Sequence, residues 1–217
     1  MGATKTDLWN AGIKAFEDGN HAVLELVCRR LLDREPDNFP VRMLLAHALL
    51  KMKRFDDAGE LLEGANPSDE RTVVLWHRTA GDYYAERGHH QAAEDEYASA
   101  LALADEQTSD LVLDLVEARI SQGHNEAALR AVETFVGRHE DGELDDGELL
   151  AFAKARALRN LGRFDEALVA AREACGLGEA IGGFEAGDSL VRELEQRLEW
   201  EAALAAADLD GPTLDAE

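Results

Sequence analysis

The stretch AGDYYAERGHHQAAEDEYASA, residues 80–100, reads as the end of one helix, a tight turn and the start of the next. Ala80, Gly81 and Tyr84 precede Arg87 and Gly88, and Ala93, Tyr97 and Ala100 follow. Small residues let two helices cross closely, larger ones fill the space beside the crossing, and Gly88 ends the first helix where a left-handed backbone costs least. The spacing of Gly88, Ala93 and Tyr97 recurs along the chain. Gly19, Leu24 and Cys28 keep it, as do Lys53, Ala58 and Leu62, then Gly123, Ala128 and Val132, then Gly162, Ala167 and Ala171. The first members of these sets are 34, 35, 35 and 39 residues apart. A period of this length means stacked helical hairpins, each burying its apolar face on the next.

Other positions keep pace. The first unit supplies Leu8, Ala11, Gly12, Ala15, Leu31 and Pro36, the second Leu45, Ala46, Leu49, Phe55 and Ala65. The fourth supplies Leu115, Val116 and Phe135, the fifth Ala155, Leu158, Phe164 and Ala174. This order resembles the tetratricopeptide repeat over residues 5 to about 178. Trp9 and Trp76 stand one position to either side of that family's usual aromatic, and only the first unit keeps the terminal proline. The resemblance implies an all-α, right-handed α-solenoid of about five stacked helix-turn-helix repeats, at 5–38, 39–72, 74–107, 109–142 and 148–178. Helix pairs are predicted at 5–18 and 21–34, 40–52 and 55–64, 74–87 and 90–104, 110–122 and 125–138, and 148–161 and 164–177.

Beyond the fifth unit, Leu190, Leu194 and Leu198 recur every four residues on one face, with Asp188 or Ser189 as the expected cap. A solenoid needs an end piece over its last apolar face, so residues 186–207 are predicted to be a C-terminal capping helix and 208–217 a frayed acidic tail. Trp200 and the Ala-rich end of that helix offer an alternative role as a homodimer seam. The glycines at 176, 178, 182, 183 and 187 follow no strand and precede no lysine, which argues against a phosphate cradle and for a helix break and turn. The acid- and glycine-rich stretch 140–147 reads as a surface loop, being too short and out of register for a calcium-binding loop.

The formal net charge is −23, from 45 acids against 22 bases in 217 residues. Such a field repels nucleic-acid phosphates and anionic lipid, so no direct nucleic-acid or membrane contact is expected, while a basic partner is attracted. A solvated acidic coat is the other reading of the same charge. No stretch approaches the roughly 18 apolar residues of a membrane span, and the N-terminus has no signal-peptide core, so a cytoplasmic location is expected. Cys28 and Cys175 are expected to be buried small hydrophobes rather than a disulfide or a ligand pair.

Catalytic chemistry needs converging polar groups, and the ionisable residues here fall mostly at solvent-facing positions, so no catalytic residue, cofactor or metal site is expected. His139 and Glu140 begin a zinc-helix pattern, but position 143 is Glu where a second His is required. His89 and His90 lie in an inter-helix turn, as do His21 and His124, and turn position explains their recurrence better than ligation.

In the family the first helices of the units line a concave groove. Projecting that arrangement gives Trp9, Ile13 and Phe16, then Met43, Leu44, His47 and Leu50, then Arg78, Asp82 and Glu86. It continues with Asp110, Asp114 and Glu117, then Arg156 and Arg159. The groove is thereby predicted to be apolar at its N-terminal end, acidic in the middle and basic at the far end. Trp9, Ile13 and Leu44 either line it or pack inside the first hairpins; both readings stand for the second unit, and Trp9 favours the groove. A carboxylate clamp of the kind that grips chaperone C-termini is disfavoured, because its positions hold Trp9, Ile13, Leu44, Leu75 and Thr79. The implied function is a non-enzymatic adaptor or chaperone-like module that holds a basic or amphipathic segment of another protein. The alternatives are a self-associating scaffold through the last helix, with Leu194, Leu198 and Trp200 at the seam, and a regulatory or inhibitory subunit whose acid mimics a nucleic-acid backbone.

Overall fold

The computed structural model describes residues 4–104, 107–139, 146–179 and 183–209. These form eleven helices and no strand: α1 (Lys5–Glu17), α2 (His21–Leu32), α3 (Phe39–Lys51), α4 (Phe55–Glu63), α5 (Glu70–Glu86), α6 (His90–Leu103), α7 (Ser109–Ser121), α8 (Asn125–Arg138), α9 (Gly147–Asn160), α10 (Phe164–Glu179) and α11 (Glu185–Leu209). The chain is an all-helical solenoid. It divides into two compact units, Met1–Ala118 and Arg119–Glu217. The acidic stretch 140–145, Gly182 and the tail 210–217 lie outside the described residues.

Local chemistry sets the helix starts. Thr4 caps α1 in a reciprocal box with Asp7, and the Asn20 and Asn38 side chains accept from the backbone N–H groups of Val23 and Val41 at the starts of α2 and α3. α5 begins at Glu70, four residues before the predicted start, because Asp69 and Thr72 form a second capping box. The intra-hairpin turns share one geometry. Gly19, Gly88, Gly123 and Gly162 have φ between 64° and 76°, and Lys53 adopts the same left-handed conformation at 60°.

In the first unit Leu8, Leu24, Cys28, Val41, Leu45 and Leu49 share one core, and full burial of each leucine stabilises by about 1.5–3 kcal/mol. Ala93 and Tyr97 of α6 pack with Leu115 and Ala118 of α7 in a second cluster. The crossing of α5 and α6 depends on Gly81, where a Cβ would lie 2.4 Å from Tyr97 Cε1. Burial pushes the Cys28 thiol up to about 11, leaving a neutral, inert side chain.

The second unit divides the late glycines: Gly183, at φ 113°, lies in the break between α10 and α11, whereas Gly176, Gly178 and Gly187 lie within helices. Gly176 and Gly178 lie within α10 and break nothing. A Cβ at Gly178 would come 2.4 Å from Phe184 Cβ, and one at Gly187 would come 2.6 Å from Phe184 Cδ1 and 2.8 Å from Cys175 Sγ. These glycines therefore make room for Phe184, whose ring meets Phe152 edge-on at 5.2 Å. α11 starts at Glu185, so neither Asp188 nor Ser189 is its cap. Leu190 and Leu194 are its buried leucines, and Leu194 at 1% exposure takes no part in any seam.

Side-chain bonds repeat the sequence period. Lys51 with Glu86, Arg78 with Asp114, Asn160 with Asn125 and Arg159 with Glu193 join residues 34 to 36 positions apart.

Candidate partner-binding face

Trp9, Ile13 and Phe16 of α1 are 44%, 45% and 49% exposed and share one face of the helix, while Leu8, Gly12 and Ala15 on the adjoining face are buried. The Phe16 ring stands 5.5 Å from the His47 imidazole of α3. His47 Nδ1 lies 3.6 Å from an Asp82 carboxylate oxygen of α5, and the Tyr97 hydroxyl donates to the other at 2.8 Å. Burial chiefly, with Asp82 beside it, pushes the Tyr97 hydroxyl above its ordinary value. The imidazole of His21 packs edge-on to His47 at 6.2 Å, and burial holds its pKa below the usual histidine value.

Further along α5, Arg78 Nε donates to Asp114 at 2.8 Å, and its Nη2 lies 3.6 Å from Asp110. Burial pushes the Asp114 carboxyl up to about 6; Arg78 opposes the shift and Asp82 and Asp110 add to it. Lys51 and Lys53 both engage Glu86, at 3.0 Å for Lys51 Nζ, and the Lys53 bond leads in holding Glu86 below the ordinary carboxylate range. The side chains of α1, α3, α5 and α7 thus form a succession from apolar through imidazole to carboxylate and guanidinium. Glu117 is half-buried on α7.

Two projected groove residues are corrected. Met43 is 1% and Leu50 0% exposed, and a partner cannot reach either. α3 is flanked by α2, α4 and α5, and the faces carrying Met43 and Leu50 are covered, while His47 stays half-buried at the edge. Leu44 is half-buried and packs against the core of the first hairpins. Within the second unit Arg156 sits 5.8 Å over the Phe152 ring and Arg159 pairs with Glu193 at 3.2 Å, so both guanidinium groups are already engaged. His21 and Tyr97 were not among the projected residues. Tyr97 was visible as the aromatic opposite Gly81, but its hydroxyl partner was not.

Among the described residues no group of three or more His, Cys, Asp or Glu is placed to hold a metal ion, and no helix is long and apolar enough to cross a membrane.

Residues 18–78 match the sequence model of the tetratricopeptide repeat. No curated protein matches the sequence significantly. Among solved structures the chain is similar to a tetratricopeptide repeat protein from Parabacteroides merdae, at 15% identity and TM-score 0.67 over 88% of this chain and 70% of that one. A thermophilic repeat protein from Thermus thermophilus is 16% identical with TM-score 0.62, covering 93% of this chain and all of the other. The Cut9–Hcn1 hetero-tetramer of the APC/C has a chain that is 14% identical with TM-score 0.71, of which this chain spans 36%. These likenesses are likenesses of fold. They show an α-solenoid, and the sequence match places tetratricopeptide-repeat sequence at residues 18–78.

Proposed function

From that premise we propose that the protein is a non-enzymatic interaction module whose first unit holds a segment of a partner protein along α1, α3, α5 and α7. A repeat of this family is a protein-binding scaffold. The observation that carries the reading is the stripe Trp9, Ile13 and Phe16, three large apolar side chains about half exposed on the outer helix. An apolar patch next to a polar row is the pattern of a contact surface. The acids beyond it suit a partner segment that is apolar at one end and basic at the other. The five-repeat division, the terminal cap and a cytoplasmic location belong to this reading.

The test uses a partner captured on the parent protein, titrated calorimetrically against Trp9→Ala with Ile13→Ala. Both side chains are exposed, so helix content should be preserved while binding weakens by about 2 kcal/mol or more, as for a hot spot. Unchanged affinity with unchanged helicity would sink the assignment of this face.

A second reading is self-association through α11. Trp200 is 70% and Leu204 58% exposed, and with Phe164 they line a cavity of about 520 Å³ in the second unit. Light scattering of the parent and of Trp200→Ser distinguishes a dimer from a monomer.

A further inference from the structure

α5 presents two opposite faces. Trp76, Ala80, Tyr83 and Arg87 recur at helical spacing, and at 100° per residue they lie across the helix axis from Arg78 and Asp82. This second stripe, with residues of α4, lines a cavity of about 340 Å³. Its walls are aromatic. The Tyr83 and Tyr84 rings meet edge to face at 5.4 Å, and the Trp76 indole is fixed by donating from Nε1 to the Leu62 carbonyl at 3.2 Å. Gly59 keeps the far wall open, since a Cβ there would already press within 3.3 Å of the Tyr83 hydroxyl.

Two charged residues complete the cavity. The Arg87 guanidinium sits 5.0 Å over the Tyr83 ring and donates to the Tyr83 hydroxyl. Glu63 lines the cavity with an exposed carboxylate that makes no hydrogen bond or ion pair among the described residues. We propose that this cavity is a binding site for a guanidinium group carried by a basic segment of a protein partner. The aromatic faces offer negative quadrupoles to a flat cation. Arg87 shows that this wall accepts a guanidinium, Glu63 supplies the unmatched counter-charge, and the net charge of −23 draws basic segments toward the protein. Arg87 is then an internal competitor: exposed and on a long stem, it leaves the Tyr83 face when the partner's arginine arrives.

The probes are N-acetyl-arginine amide and a short arginine-containing peptide, each beside its citrulline counterpart, which keeps the shape and loses the charge. Calorimetric titration should show the arginine forms saturating and the citrulline forms weaker by roughly fivefold or more. Glu63→Gln should weaken the arginine peptide roughly threefold and Arg87→Ala should tighten it roughly twofold, with melting curves confirming that both fold. A peptide that binds more tightly than the amide identifies a protein segment as the source. Equal affinity overturns that part in favour of a free guanidino compound. The proposal fails if citrulline binds as well as arginine, if nothing saturates by about 1 mM, or if both variants titrate like the parent. Trp9→Ala with Ile13→Ala should leave these titrations unchanged, so this site and the α1 face stand or fall separately.

Discussion

α1 and α3 have the same length, 13 residues, and open consecutive hairpins, yet they treat apolar side chains in opposite ways. α3 buries seven residues, among them Met43 and Leu50, whereas α1 buries three and leaves Trp9, Ile13 and Phe16 half exposed. The difference is one of neighbours. α3 packs against three helices, α2, α4 and α5, and α1 packs chiefly on α2. In a stack of hairpins an inner helix uses every apolar residue for folding, and an outer one keeps a surplus for something else.

The harshest test of inner-helix packing is Ala93 of α6, which is fully buried in the α6–α7 cluster. Ala93→Arg should cost about 3–5 kcal/mol, combining overpacking with an unpaired buried charge. Thermal melting by circular dichroism would show it, and an unchanged midpoint would mean that the crossing tolerates bulk. The contrast between α1 and α3 is tested directly by truncating one residue from each. Leu50→Ala should lose about 2–4 kcal/mol of stability and Trp9→Ala less than about 1. Equal losses in urea titrations would erase the distinction.

A polar residue sharpens the comparison further. Asp114 behaves as an interior group, with its folded pKa raised from 3.8 to about 6. Its protonation favours the folded state, so this contribution is fully present below about pH 4 and is lost as pH rises through about 6, by at most roughly 3 kcal/mol. Asp114→Asn should flatten that part of the stability profile between pH 4 and 6; a slope identical to the parent would assign it elsewhere. The smallest effect is expected at Lys53, the non-glycine at the recurrent left-handed turn position. Lys53→Gly should relieve the backbone there, but it gives up the Glu86 ion pair and gains unfolded-state entropy, so urea titration should show a net stabilisation of no more than about 0.5 kcal/mol.

The fold was legible because the repeat period fixes the turns, and all five recurrent turn positions, from Gly19 to Gly162, adopt the same left-handed backbone. What the pattern hid follows from degeneracy. α3 is apolar on nearly every side, so spacing could not say which of Met43, Leu44 and Leu50 would be covered. Asp69, just before the start of α5, carried a capping signal that a repeat-based boundary overlooked. Gly178 and Gly187 looked like breakers because glycine's two uses, turning a chain and letting a ring approach, have the same letter. The Trp76 and Tyr83 stripe was invisible as a site because the family arrangement directs attention to the other side of α5.

The bonds between residues 34 to 36 positions apart bear on how the protein is made. A nascent chain needs only one further hairpin to be synthesised before each of these pairs can close, a delay of about 2–7 s at ordinary rates of translation. Each finished hairpin can therefore lock onto its predecessor while the ribosome is still at work, and apolar surfaces such as that of α3 spend little time uncovered.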